Sequence, residues 1–179
     1  MNSPSYRLRT LQRSDAEALL RFELENRSWF ERFVAPRAES FYSPAGVEAH
    51  IDEALRELEL GRYHPQLLLD EAGEIVGRVN LKDIDALRRT AEVGYRIGQA
   101  HAGRGAASAG LLQLISTAQL VWGLDSLEAV VAEGNPASAR VLEKAGFVCV
   151  EQMAELATIA GQRRSGRRFR RPLSAATAD

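Results

Sequence analysis

Apolar and polar residues alternate from Tyr6 to Leu11, the pattern of a half-exposed strand. Ser14, followed three residues later by Glu17, has the form of a capping box with Ser14 as the cap. Leu19, Leu20, Phe22 and Leu24 continue that helix until Asn26 ends or bends it. The period then disappears. Trp29, Phe30, Phe33, Phe41 and Tyr42 crowd an irregular connection, where aromatic rings either plug a core edge or line a pocket. Periodicity returns after Ser43 and Pro44: Val47, Ile51, Ala54, Leu55, Leu58 and Leu60 share one face of a second helix, which Gly61 stops. Residues 66–70 and 75–81 read as two strands around a polar turn, 83–89 as a charged loop, and 91–97 as a further strand.

Helical spacing resumes with Leu111, Leu112, Leu114, Ile115 and Ala118, in a helix expected to run from Gly103 to near Gly123. The apolar run at 126–132 is a strand parallel to 91–97, because a crossover helix joins the two. Asn135 is placed to cap a helix with Pro136 in its first turn and Gly146 at its close. Residues 147–150 begin another strand, 161–166 read as the tip of a last hairpin, 167–173 as its second arm, and 174–179 as a loose tail. No repeat and no linker interrupts this order, so 1–179 is read as one α/β domain.

Composition narrows the function classes. A chain of 179 residues that is 45% hydrophobic has material for one sizeable core. Its net charge of −1 supplies no global field for nucleic acid or membrane. The single cysteine, Cys149, excludes an internal disulfide and any multi-cysteine metal site, and its apolar neighbours mark it as a core residue. His50 and His64 have no partner pattern for a metal, so none is expected; His101 is expected to face water. No secretory segment and no bilayer-length apolar run is seen, which makes a cytoplasmic protein the expectation. Arg163, Arg164, Arg167, Arg168, Arg170 and Arg171 crowd the last hairpin. They read as charges that discourage sheet-to-sheet pairing, with a surface for an acidic partner such as RNA as the alternative.

The chemistry concentrates where the 91–97 strand passes through Gly103, Arg104, Gly105, Ala106 and Ala107 into the long helix. The first amides of a helix have no intrahelical acceptor, and the helix dipole adds partial positive charge there. Small residues let a phosphate approach such amides closely. A dinucleotide-binding fold is the competing use of such glycines. Here Ser108 stands where its third glycine belongs, and no acidic residue occurs between Gly105 and Asp125.

The run from Ala102 to Ala107 resembles the Arg/Gln-x-x-Gly-x-Gly/Ala signature of the coenzyme A-dependent N-acetyltransferases of the GNAT superfamily, with Ala102 in the place of the usual Arg or Gln. A second segment, Asn135 through Ser138, Leu142, Glu143, Lys144 and Gly146 to Phe147, is similar to that superfamily's Asn-x-x-Ser-x-x-x-Leu-Glu-Lys-x-Gly-Phe. The likeness runs from Tyr6 to Leu173 and is strongest to the branch containing the ribosomal-protein alanine N-acetyltransferases.

The resemblance implies an α/β (α+β) GNAT fold. Its sheet of about six to seven strands is mixed and mostly antiparallel, splayed between two parallel strands and flanked by about four helices. It implies acetyl-CoA as cosubstrate and a primary amine, either a protein N-terminus or a small molecule, as acceptor. The diphosphate would rest on Gly103, Arg104, Gly105, Ala106 and Ala107, and the pantetheine arm would pair with Tyr95, Arg96, Ile97 and Gly98. An amide near Ile97 would polarise the thioester carbonyl. Asn135 and Ser138 would contact the cofactor, with Ser138 giving a proton to the leaving thiolate. Glu133, Glu92 and Glu25 stand as alternatives for the base, and Glu25, Trp29, Phe33 and Glu92 as the acceptor wall. Monomer and homodimer both fit. An acyl-CoA-binding sensor without turnover and a nucleotide enzyme remain the alternatives.

Overall fold

The computed structural model describes residues 5–159 and 162–173. A seven-stranded sheet runs in the order β1-β2-β3-β4-β5-β7-β6. Its strands are β1 (Arg7–Thr10), β2 (Gln66–Leu69), β3 (Ile75–Asp85), β4 (Thr90–Ile97), β5 (Ser126–Ala132), β6 (Val148–Ile159) and β7 (Gln162–Pro172). The helices are α1 (Ala16–Glu25), the single turn α2 (Arg27–Phe30), α3 (Pro44–Glu59), α4 (Ala106–Leu120) and α5 (Pro136–Lys144).

Two cores cover the two faces. Leu19 and Phe22 of α1 and Val47, Ile51 and Ala54 of α3 pack with Leu67 and Leu69 of β2. Leu111, Leu114, Ile115 and Ala118 of α4 and Ala139 and Leu142 of α5 pack with Leu68, Val79, Val93, Leu127 and Phe169. Alternate residues of β2 therefore feed opposite cores, which explains why Gln66–Leu69 is an unbroken buried run. Gly110 brings α4 tight against the sheet; a Cβ there would lie 2.9 Å from the Val79 side chain.

β4 and β5 form the parallel pair, in register from Thr90↔Ser126 to Val93↔Ala129. All other strand pairs are antiparallel. Beyond Val93 the two strands part. Gly94, Tyr95, Arg96 and Ile97 stay bonded only to β3, while Val130, Val131 and Ala132 stay bonded only to β7. A wedge opens between them at the end where α4 and α5 start, as the splayed-sheet expectation requires.

Several local expectations are corrected. Ser14 lies inside a short 3-10 turn, Arg13–Asp15, and does not cap α1. The Asp15 carboxylate instead accepts from the Gln12 amide at 2.7 Å and pairs with Arg9 at 2.7 Å. Residues 83–85 belong to β3, because a register shift after Lys82 restores pairing at Asp85↔Thr90. Cys149 is exposed rather than in the core. Phe147 takes the buried place, while Val148 and Val150 lie on the outer strand of the sheet, 59% and 53% exposed. Residues 162–166 pair as the start of β7, with Gln162 opposite Ile159 of β6. Gly161 of the expected tip, the 174–179 tail and residues 1–4 lie outside the described residues.

Candidate active site

α4 begins at Ala106 behind two glycines in left-handed geometry, Gly103 at φ +73° and Gly105 at φ +85°. Such angles suit glycine because they crowd any Cβ against the backbone. A Cβ on either glycine would meet no protein atom within 4 Å, so the space in front of the turn is open. The first helical bond runs from the Ala109 amide to the Gly105 carbonyl. Among the described residues, no protein group accepts from the amides of Gly105, Ala106, Ala107 and Ser108, and no side chain caps the turn. Four converging donors at the positive end of a helix, with clear space before them, form a site for a phosphate-type anion. Ala102 and Arg104 are exposed beside it. His101 sets its ring edge-on against Tyr6 at 6.2 Å and so packs on protein instead of simply facing water.

The free edge of β4 leads away from this turn. The Gly98 amide donates to the Val76 carbonyl of β3 at 2.9 Å. Backbone groups alternate along a strand, so those of Tyr95 and Ile97 point the other way, into the wedge. The Ile97 carbonyl accepts from the Trp29 indole nitrogen at 3.1 Å, and Phe33 stacks edge-on against Trp29 at 5.1 Å. The aromatic connection divides its rings between the core and the surface. Phe30 and Phe41 plug the core, while Trp29 and Phe33 remain half-exposed beside the strand edge. Gly98 packs closely on Phe22 and Asn26, and the Asn26 side chain accepts from the Gln99 amide at 2.8 Å, which fixes the corner after β4.

α5 supplies the other wall. Asn135 caps it by accepting from the Ser138 amide at 3.1 Å. That cap turns the Ser138 hydroxyl toward β4, where it shares a 2.9 Å hydrogen bond with the Tyr95 hydroxyl. Tyr95 also donates to the Ser138 carbonyl at 3.2 Å. Burial pushes the Tyr95 phenol up from its ordinary value, and the Ser138 bond only partly opposes this, so the hydroxyl stays protonated. Tyr95 was expected from sequence as strand backbone; its hydroxyl is a further group of the site.

The three candidate bases separate. Glu133, just past β5, is exposed and accepts from the Ser165 hydroxyl of β7. It borders a cavity of about 320 Å³ that Asn135, Gln152 and Arg167 also line. Glu92 stands opposite Glu128 in the paired part of β4 and is held by Lys82 of β3, away from the splay. Glu25 is exposed at the end of α1.

One charged cluster escapes the sequence reading. Glu23 of α1 is 0% exposed, accepting from Arg78 at 2.9 Å and Arg96 at 3.1 Å, with Arg37 at 3.9 Å. Burial works to raise the Glu23 pKa, but the combined field of Arg96, Arg78 and Arg37 holds it below the usual carboxylate range. Arg78 also donates to Nε2 of His50 at 2.7 Å. Burial, helped by Arg78 and Arg37, pushes His50 down to about 3, so the ring is neutral. Arg96 lies over Phe30 and Arg37 over Phe41. The signal for this cluster was present in the sequence. Glu23 sits four residues after Leu19 on the apolar face of α1, and Arg78 interrupts the apolar run of β3.

Among the described residues, no group of acidic, histidine or cysteine side chains could hold a metal ion, and no helix is long and apolar enough to cross a membrane.

Known proteins share this fold. The family model for the acetyltransferase (GNAT) domain matches residues 6–148. The Bacillus subtilis protein named probable N-acetyltransferase YjcK is 34% identical over 142 residues, 78% of each chain. The ribosomal-protein-S5-alanine acetyltransferase of Vibrio fischeri superposes with a TM-score of 0.90 at 19% identity, covering 97% of this chain and 95% of that one. The spermidine N-acetyltransferase of Vibrio cholerae, solved with CoA and spermine, superposes at 0.81 with 22% identity, covering 95% and 96%.

Proposed function

The chain belongs to the GNAT acetyltransferase family, and on that footing we propose that it transfers the acetyl group of acetyl-CoA directly to a primary amine within a ternary complex. The observation that carries this reading is the row of unmet amides at Gly105, Ala106, Ala107 and Ser108, opening beside the unpaired edge of β4. Acetyl-CoA supplies the acyl carbon as a thioester. Gly103, Arg104, Gly105, Ala106 and Ala107 hold its diphosphate; the open space at both glycines and the neutral amide donors fit that group. The outward backbone groups of Tyr95 and Ile97, with Arg96 and Gly98 fixing the strand, take its extended arm as an added strand. The Ile97 amide is the oxyanion donor.

Ser138, aimed by the Asn135 cap, protonates the departing sulfur, and the Tyr95 hydroxyl supports it at 2.9 Å. Glu133 takes the proton of the incoming amine, directly or through water. Trp29 and Phe33 wall the acceptor side. Glu92 is engaged by Lys82 and Glu25 faces water, so neither is given a role. The whole chain, 1–179, works as one domain in the cytoplasm, as a monomer or homodimer acting on a protein N-terminus or a small amine.

The test is acetyl-CoA consumption over a panel of amines, paired with CoA binding by Gly105→Val. Turnover on at least one amine is expected, as is a loss of CoA affinity of about tenfold or more, since a side chain then fills the anion's place. At φ +85° the substitution also strains the turn by roughly 1–2 kcal/mol. Unchanged CoA affinity in a folded variant refutes the anion site. Tight CoA binding with no turnover on any amine favours a sensor.

A further inference from the structure

We infer that the acceptor amine carries a carboxylate, and that Arg37, Arg78 and Arg96 bind it. This rests on the proposed use of the β4 edge. Three guanidinium groups gather around one carboxylate, with side-chain exposures of 25% for Arg37, 3% for Arg78, 21% for Arg96 and 0% for Glu23. Glu23 spends one oxygen on Arg78 and the other on Arg96. Arg37 stays at 3.9 Å, beyond hydrogen-bond distance. Its Nε is buried and, among the described residues, has no hydrogen-bond partner. The other carboxylates of that connection, Glu31 and Glu39, are both committed to Arg27. The cluster therefore holds more positive charge than the described residues neutralise, Arg78 buried and Arg37 and Arg96 half-buried, and such a partly desolvated excess is costly unless a further anion completes it.

Its place in the fold says which molecule brings that anion. Arg96 is on the splayed part of β4, between Tyr95 and Ile97, and pairs across the sheet with Arg78. Tyr95 faces α5 while Arg96 faces α1, so the cluster is on the opposite side of the strand from Ser138. Arg37 comes from the connection that also sets Trp29 on the Ile97 carbonyl. An anion there belongs to a molecule approaching β4 from the aromatic side, which is the acceptor's side. A planar guanidinium pairs best with a planar two-oxygen anion, hence a carboxylate. The source is either the α-carboxylate of a free amino acid or an acidic side chain near a peptide N-terminus. A polyamine brings only more positive charge and is rejected.

The experiment compares kcat/KM for acceptors that differ only in that group: free amino acids against their amides, and N-terminal peptides bearing Glu against the same peptides bearing Gln. A carboxylate preference of at least about tenfold, carried mainly by KM, is expected in one pair, and that pair identifies the source. Arg37→Gln should erase the preference, and Arg37→Lys should restore part of it. Arg37→Gln should also hold or raise Tm in the free protein, because it relieves like-charge crowding; a purely structural arginine would lower it. Equal turnover of acids and amides, or efficient turnover of spermidine, overturns the inference and leaves acetyl transfer standing. No turnover of any acceptor overturns both.

Discussion

Replacing Glu23 by Gln removes one negative charge and little volume from the most enclosed ionic group in the molecule. Both carboxylate oxygens are used, at 2.9 Å to Arg78 and 3.1 Å to Arg96, and the side chain is 0% exposed. Each contact is worth several kcal/mol at an effective dielectric near 20, and desolvation of the ions offsets much of the sum. Breaking a buried pair from one side leaves the partner charges uncompensated, at a cost of about 3–5 kcal/mol. A chain of this size loses roughly 2–4 °C of Tm per kcal/mol, so a fall of about 6–20 °C is expected for Glu23→Gln in a thermal melt. Glu25→Gln, two residues on and exposed, is the control and should stay within about 0.5 kcal/mol. Because the folded Glu23 pKa is held below its ordinary 4.5, its contribution is present above that pH and fades as pH falls through the lowered value. A Glu23→Gln loss below about 1 kcal/mol by urea titration would refute the idea that this carboxylate holds three cations together.

Ser138→Ala should lower kcat by about tenfold or more while CoA affinity changes little, measured by steady-state kinetics beside calorimetric titration; equal losses in both would reduce the hydroxyl to a contact. His50 has an ordinary pKa of 6.5 and a folded value of about 3, so its contribution to stability is fully present above pH 6.5 and drains away as pH falls toward 3. His50→Gln keeps an acceptor for Arg78 and should flatten the urea midpoint over that window; an unchanged profile would assign the pH dependence to another group. The Gly105→Val binding experiment completes the set.

The elements that locate the site were legible because backbone chemistry writes strong local signals. Glycines before an apolar helical stretch marked the turn into the long helix, which begins at Ala106 and not at Gly103, and Asn135-Pro136 marked a capped helix that forms as expected. What failed was side-chain partnership across long sequence separations. Ser14 resembled a cap for α1, but it lies inside a 3-10 turn, where the Asp15 carboxylate accepts from the Gln12 amide and pairs with Arg9. Cys149 sits in an apolar run, yet β6 is the last strand of the sheet, and only the tertiary order reveals that its residues have no covering layer. The union of Glu23, Arg37, Arg78, Arg96 and His50 draws on two helices, two strands and a connection, so no local window contains it. Its trace in sequence was an ionisable residue at an apolar position, visible at Glu23 and Arg78 but silent about partners.

The parting of β4 from β5 has a mechanical consequence. Among the described residues, four residue pairs, from Thr90↔Ser126 to Val93↔Ala129, carry the ladder between the two halves of the sheet, extended at its foot by the Asp125 and Ser126 amides donating to the Arg89 carbonyl, with the Tyr95–Ser138 contact as a latch above it. A seam so short lets the halves breathe, and amides near it should exchange with solvent sooner than those in the long β3–β4 ladder. Any guest that bonds to the free edges of both strands lengthens the seam and stiffens the whole sheet. Loading the enzyme would thus be felt as rigidity far from the guest itself, in strands it never touches.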